Sequence, residues 1–253
     1  MFFKKPRMNR YGWRPDMPDH RDFAYAKHGA MVEKLPDVVD LRSKCSPVED
    51  QGELGSCTAQ ALVGNLEFLE ILSGVAFKDL SRLFVYYNER MLDHDVGQDN
   101  GSQLRTGIKA LASYGVCEEI NWPYIINRFS KKPTVQCYSN AITHKISQYV
   151  RLNTLHDMLH CLASGYPFVF GFTVYDYFES DEMATKGVLK MPTPEESVLG
   201  GHAICCVGYD QTKKMLLIRN SWGTGWGLAG YFWMPFDYAI NRNLADDFWT
   251  IRK

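Results

Sequence analysis

The hydrophobic period changes once along this chain, near Tyr149, and that switch limits the fold more than any other feature. Ahead of it, Ala61, Leu62, Leu66, Leu69 and Leu72 recur at i+3 and i+4 spacing, and Gly74 follows as a stop. The pattern predicts a helix over 57–72. Similar patterns predict helices over 80–92 and 104–113, the second closed by Gly115. Behind the switch the apolar runs shorten to strand length at 167–175, 202–209, 214–220 and 231–234. The second and third are joined by Asp-Gln-Thr-Lys, a turn signal. Helices first and strands after give an α+β fold, expected as two lobes with a cleft between them.

Composition narrows what such a fold can serve. Lys and Arg number 28 against 29 Asp and Glu, a formal charge of -1. That balance argues against nucleic acid as a partner. No apolar run reaches the roughly 20 residues of a membrane span. The basic start leads into no apolar stretch, so no Sec-type signal peptide is expected, with a lean to the cytoplasm and a monomer. Seven cysteines lack any CxxC spacing, which disfavours a zinc ribbon or a redox dithiol. Cys205 and Cys206 are adjacent and are expected on opposite faces of one strand.

Residues 1–36 read as an irregular arm. They hold Pro6, Pro15, Pro18 and Pro36 and a basic cluster of Lys4, Lys5, Arg7, Arg10 and Arg14, with no helical or strand period. A floppy tail is the default for such a segment. However, Phe2, Phe3, Tyr11, Trp13, Phe23 and Tyr25 are there, and aromatics prefer a surface to pack on.

Four short segments carry chemistry. Gln51-Gly-Glu-Leu-Gly-Ser-Cys57 is a Gly-rich turn that delivers a cysteine to the first turn of a helix. Free N–H groups and partial positive charge at that end stabilise a thiolate. Gly200-Gly201-His202-Ala203 opens a strand, Asn220-Ser221-Trp222-Gly223 ends another, and Trp226-Gly227 follows.

In that order and at those separations, the segments resemble the papain family of cysteine peptidases, cathepsins included, and within it the bacterial branch. The match runs from about Leu35 to the end. Leu35-Pro-Asp-Val-Val-Asp-Leu-Arg42 is similar to the mature start of those enzymes, and Gly107–Gly115 and Trp122-Pro123-Tyr124 to parts of their helical lobe.

The resemblance implies a papain-like two-lobe fold. A helical lobe is expected over 37–145 and a strand-rich, barrel-like lobe over 146–253, with the arm at 1–36 as a short pro-region. It also implies roles. Cys57 is the expected nucleophile, and His202 takes its proton and later protonates the leaving amine. Asn220 holds the imidazole. Gln51 aims an amide N–H at the oxyanion, beside the backbone N–H of Cys57. Trp222 shields the His202–Asn220 bond from water. Gly101 and Ser102 would pair with an extended peptide substrate. Ala203 and Gly171 would shape the pocket for the second residue before the scissile bond, with Asp246 at its far end.

The chain departs from the family pattern in places. Thr58 stands where Trp usually follows the nucleophile, so the surface there is expected to be repacked. Leu54 and Asp99 stand where two cysteines usually form a bridge. His156 and His160 have the i, i+4 spacing of a zinc pair, but Asp157 stands where that motif wants Glu and no third ligand is in view. No metal or cofactor is expected. The function implied is an endopeptidase with a thioester intermediate, with the arm as an intramolecular inhibitor. Transglutaminase-like acyl transfer and a degenerate binding module are the alternatives.

Overall fold

The computed structural model describes residues 11–20, 22, 24, 25 and 32–253. Phe2, Phe3, Phe23 and the basic cluster at Lys4, Lys5, Arg7 and Arg10 lie outside the described residues. Three helices form one lobe: α1 (Cys57–Leu72), α2 (Arg82–Leu92) and α3 (Leu104–Ser113). A shorter α4 (Val135–Ala141) leads out of it. The other lobe is built on β1 (Val38–Asp40), β2 (Gln148–Arg151), β3 (Phe168–Tyr175), β4 (Val198–Asp210), β5 (Met215–Arg219), β6 (Tyr231–Pro235) and β7 (Ala245–Arg252). Strand order is β2-β7-β3-β4-β5-β6, with β1 beside β4, and every pairing is antiparallel.

The helices fall where their periodicity predicts, but α1 is buried on every side from Cys57 to Glu70 and α2 from Arg82 to Arg90, while α3 buries one face. The back half also holds helices: α5 (Leu155–Ala163), α6 (Asp181–Lys186) and α7 (Phe236–Ile240). Thr154 starts α5 with a capping box in which Asp157 returns the bond. Asp157, the acid between the two histidines, therefore serves the helix end.

Strand alternation divides the core in two. Val169, Ala203, Cys205 and Val207 pack with Leu62, Leu66 and Ile108 between the lobes. Phe168, Phe170, Phe172, Ile204 and Cys206 pack on the opposite face with Trp222 and Phe232. Cys205 and Cys206 thus separate to the two faces, as a two-residue period requires. All seven cysteines are free. No described helix is long and apolar enough to cross a membrane.

β7 carries one irregularity that shapes the cleft. Val169 pairs with Trp249 while Gly171 pairs with Asp246, so two steps on β3 face three on β7. The extra residue is a β-bulge at Asp247, whose φ is 60°.

The arm crosses the cleft and then wraps the strand lobe. Trp13 N–H donates to the Gly201 carbonyl (3.0 Å), Ser102 N–H to the Gly12 carbonyl (2.8 Å) and Arg14 N–H to the Ser102 carbonyl (2.9 Å). Further on, Ala24 bridges Arg151 of β2, and Tyr25 is buried in the strand-lobe core.

Candidate active site

Cys57 is the first residue of α1. Ser56 occupies the N-cap but turns its hydroxyl to the Tyr124 hydroxyl (2.6 Å) and makes no side-chain cap. The first-turn amides of α1 are therefore not consumed by a capping oxygen. Tyr124 also donates to the Gln51 carbonyl (2.9 Å), tying the loop 51–56 to the helical lobe.

Gln51 is fully buried and its side-chain plane is fixed at both ends. Its Nε2 donates to the Leu54 carbonyl (2.9 Å), and its Oε1 accepts from the Ser221 hydroxyl (2.6 Å). Its backbone N–H reaches the Ser221 carbonyl (2.9 Å), so one residue bridges the two lobes.

His202 opens the buried part of β4, and its Nε2 lies 2.8 Å from Asn220 Oδ1. The Trp222 ring covers the imidazole with centroids 5.2 Å apart, and Phe172 and Phe178 close the other sides. That apolar cover keeps water from the pair and strengthens it. The next residue, Ala203, faces α1, and its backbone N–H lies against the Cys57 thiol.

The expected nucleophile has no solvent access: Cys57 is 0% exposed. The arm closes it. The backbone N–H of Gly12 also contacts the thiol. A Cβ on Gly12 would stand 1.8 Å from the Gly55 carbonyl oxygen, and one on Gly101 1.8 Å from the Gly12 oxygen. Burial pushes the Cys57 thiol up to about 12, against the pull of the Ala203, Gly12 and Thr58 amides. Beneath the arm, Cys57 is a neutral thiol.

Trp13 fills the pocket beside the thiol. Its ring lies flat on Gly171, where a Cβ would be 1.9 Å from Cε2, and its carbonyl passes over Gly201. Tyr11 packs on the opposite side of Gly12, near His202 and Trp222, and its hydroxyl bonds to Glu179.

One expected pocket residue is displaced. The Asp246 carboxylate is held by Arg151 (3.0 Å) and Arg242 (2.6 Å). Asp247 takes its place: its Oδ2 accepts from Trp13 Nε1 (3.2 Å) and from the Asp16 N–H (2.7 Å). The bulge in β7 rotates Asp247 inward, and no motif in Asp-Asp-Phe-Trp reveals a bulge.

Two departures from the family pattern have structural content. Asp99 accepts from the Gly55 N–H with both oxygens (3.1 Å each) and from the Tyr86 hydroxyl. A hydrogen bond thus fastens the loop where the family resemblance implied a disulfide. Thr58 donates to Glu89 (2.6 Å), a buried acid whose other oxygen lacks a partner among the described residues. Burial raises Glu89 to about 8, so it is a neutral acid at pH 7.

The rings of His156 and His160 lie with centroids 4.1 Å apart and planes tilted by 51°, and His160 Nδ1 accepts the Val32 N–H (3.2 Å). Among the described residues, no group of three or more His, Cys, Asp or Glu could hold a metal ion.

Residues 35–247 match the family model described as papain family cysteine protease. The chain belongs to the papain family of cysteine peptidases. It is an enzyme that hydrolyses peptide bonds, with the papain-like α+β fold. An uncharacterized peptidase C1-like protein of Acanthamoeba polyphaga mimivirus is 42% identical over 87% of this chain and 73% of its own length. Cysteine proteinase 3 of Entamoeba histolytica is 28% identical over 82% of this chain, which spans 65% of that relative. The crystal structure of xylellain, a cysteine protease from Xylella fastidiosa, superposes with a TM-score of 0.89 at 40% identity. That match covers 100% of this chain and 99% of the other.

Proposed function

We propose that this chain is a cysteine endopeptidase held inactive by residues 1–36, with residues 37–253 as its catalytic body. The observation that carries the reading is the course of Gly12. Its peptide lies between Gly55 and Gly101, against the Cys57 thiol, with Trp13 and Arg14 bonded to both walls of the cleft. A segment that borrows the backbone partners of a substrate excludes the substrate.

Cys57 is the nucleophile in this reading. When the arm leaves, water returns and the burial cost on a thiolate falls. The thiol proton passes to His202 through the ring nitrogen not engaged by Asn220. The sulfur attacks the scissile carbonyl carbon, and the charge gathering on the oxygen is met by the Cys57 N–H and the Gln51 amide. The C–N bond breaks as His202 gives its proton to the departing amine. Water, deprotonated by His202, then cleaves the thioester and restores the thiol. Gly101, Ser102 and Ala203 supply backbone along the groove, and Gly171 leaves room for a bulky side chain.

The test compares the full chain with its Gly12→Val and Cys57→Ala forms on a dipeptide amide fluorophore with Arg at the cleavage site. A valine there meets the Gly55 carbonyl and lifts the arm without altering the body. Fluorophore release is expected to rise at least about tenfold in Gly12→Val and to vanish in Cys57→Ala. Equal rates in the first two would remove the inhibitory role. Incorporation of an added amine in place of hydrolysis would make the enzyme an acyltransferase.

A further inference from the structure

Beyond Trp13 the arm plants two carboxylates in a socket contributed by both lobes. Asp16 is fully enclosed: its side chain is 0% exposed. Trp249 Nε1 donates to its Oδ2 (2.9 Å) and the Arg105 backbone N–H to its Oδ1 (3.1 Å). Arg105 is the second residue of α3, whose N-cap Gln103 makes no side-chain cap. Asp16 therefore caps the helix from outside its own segment. The guanidinium groups of Arg105 and Arg151 stand 4.0 and 3.8 Å from the same Oδ2. Asp22 completes the cluster, with Arg105 Nε at 3.2 Å and Arg151 at 3.4 Å.

The two arginines differ in what the arm's departure leaves them. Arg151 keeps Asp246 (3.0 Å) and Asp247 (2.8 Å). Among the described residues, every hydrogen bond of the Arg105 guanidinium goes to the arm: to Asp22 and to the Met17 carbonyl. Arg105 is 6% exposed and lies against the Trp249 ring, 5.6 Å from its centroid. Once the arm leaves, the Arg105 guanidinium meets water with its fork of donors unengaged, and a carboxylate offers it a stronger, charge-assisted partner than water does. Without the arm the cluster holds Arg105, Arg151 and Arg242 against Asp246 and Asp247, an excess of one positive charge. Its two indole and backbone donors are then also vacant.

We propose that this socket is a substrate subsite that takes an acidic side chain on the acyl side of the scissile bond. This rests on the peptidase reading, in which Gly171 and Ala203 mark the acyl side of the cleft. The socket lies beyond Trp13 on that side, so peptide residues upstream of the pocket residue reach it. Arg105 sets the preference, with a charge-assisted contact that neither Asn nor Gln can match.

Binding tests the subsite separately from catalysis. The full chain carrying Cys57→Ala and Gly12→Val is titrated with fluorescein-labelled peptides. They share one aromatic pocket residue and carry Asp or Asn at successive upstream positions. At one or two positions, Asp is expected to bind about tenfold tighter than Asn. Arg105→Gln is expected to bring that ratio to near one, and Arg105→Lys to restore part of it. No Asp preference at any position, or a preference that survives Arg105→Gln, overturns the proposal. The Gly12→Val chain with Cys57 intact then reads cleavage of the same peptides. Discrimination in binding with no cleavage would leave the subsite standing and sink the peptidase reading.

Discussion

Asp99 ties the loop 51–56 to the helical lobe at the position where the family pattern leads one to expect a cysteine. Both its oxygens hold the Gly55 N–H, two residues ahead of Cys57, and the Tyr86 hydroxyl holds Asp99 in turn. A bond from a carboxylate to an enclosed amide contributes about 1.5–3 kcal/mol. Asp99→Ala leaves the fold intact and the loop 51–56 less well placed. Since that loop carries the Gln51 amide and precedes the Cys57 N–H, kcat is expected to fall about tenfold or more with KM changed little. Equal effects on kcat and KM, or none, would make Asp99 a structural tie only. Asn at this position keeps one acceptor and is expected to recover part of the loss. The meeting of Gln51 with Ser221 and of His202 with Asn220 was legible because each stands in a short contiguous motif whose local geometry follows from glycine, a helix start or a strand start. Asp99 was legible only as an absence, a cysteine replaced. Its partner is a backbone N–H 44 residues away, which leaves no trace in side-chain spacing.

At the scale of elements, the helices of the front lobe and the apolar strands of the back lobe follow from their periods. Their termini fall within two or three residues of the pattern, apart from β4, which begins at Val198, ahead of the glycine pair. β7 does not follow, for a physical reason. It is buried on both faces from Phe248 to Ile251 and bulged at Asp247, so it shows neither alternation nor a continuous apolar run. That single unread bulge is why the pocket carboxylate belongs to Asp247 and the neighbouring one to a surface ion pair. β3 has the complementary irregularity: Gly171, the one residue in a run of Phe and Val with no side chain, opens the space Trp13 enters. Gly171→Ala is compatible with the strand and leaves no room for the indole. It is expected to unseat the arm, read as chymotrypsin cutting after Trp13 at least about tenfold faster with far-UV circular dichroism unchanged. Unaltered cleavage would mean that the Arg14–Asp93 pair, at 2.7 Å, and the backbone bonds hold the arm without Trp13.

At the scale of the molecule, arm and body share a buried acid pair, and its protonation decides how the arm responds to pH. Docking seals Asp247 and Asp16 together, with the Asp16 N–H on the Asp247 carboxylate. Burial is the main reason Asp247 is raised to about 6, and the Asp16 charge adds to it. Asp16 is raised too, chiefly by burial, against the pull of Arg105, Trp249 and Arg151. The groups facing the pair are Asp22 of the arm, Arg105 of α3, Arg151 of β2, and Asp246 and Trp249 of β7. With the arm away, Asp247 meets water and loses the neighbouring charge, so it returns toward the ordinary value of 3.8. The docked form therefore binds more protons. A carboxyl raised on docking stabilises docking fully below its free value, and that contribution is lost as pH rises through about 6. Acid tightens this arm and alkali loosens it. The measurable quantity is the protection of Cys57: its alkylation rate in the Gly12→Val chain divided by that in the parent, at each pH. The ratio cancels the intrinsic reactivity of the thiolate. It is expected to be about tenfold larger at pH 5 than at pH 7.5, less than the full two-unit shift allows because pH 5 still lies above the free value of 3.8. Asp247→Asn keeps an acceptor for Trp13 and cannot titrate, so it should flatten the profile. Protection that falls on acidification would show that the arginine contacts to Asp16 and Asp22, and not the acid pair, control release.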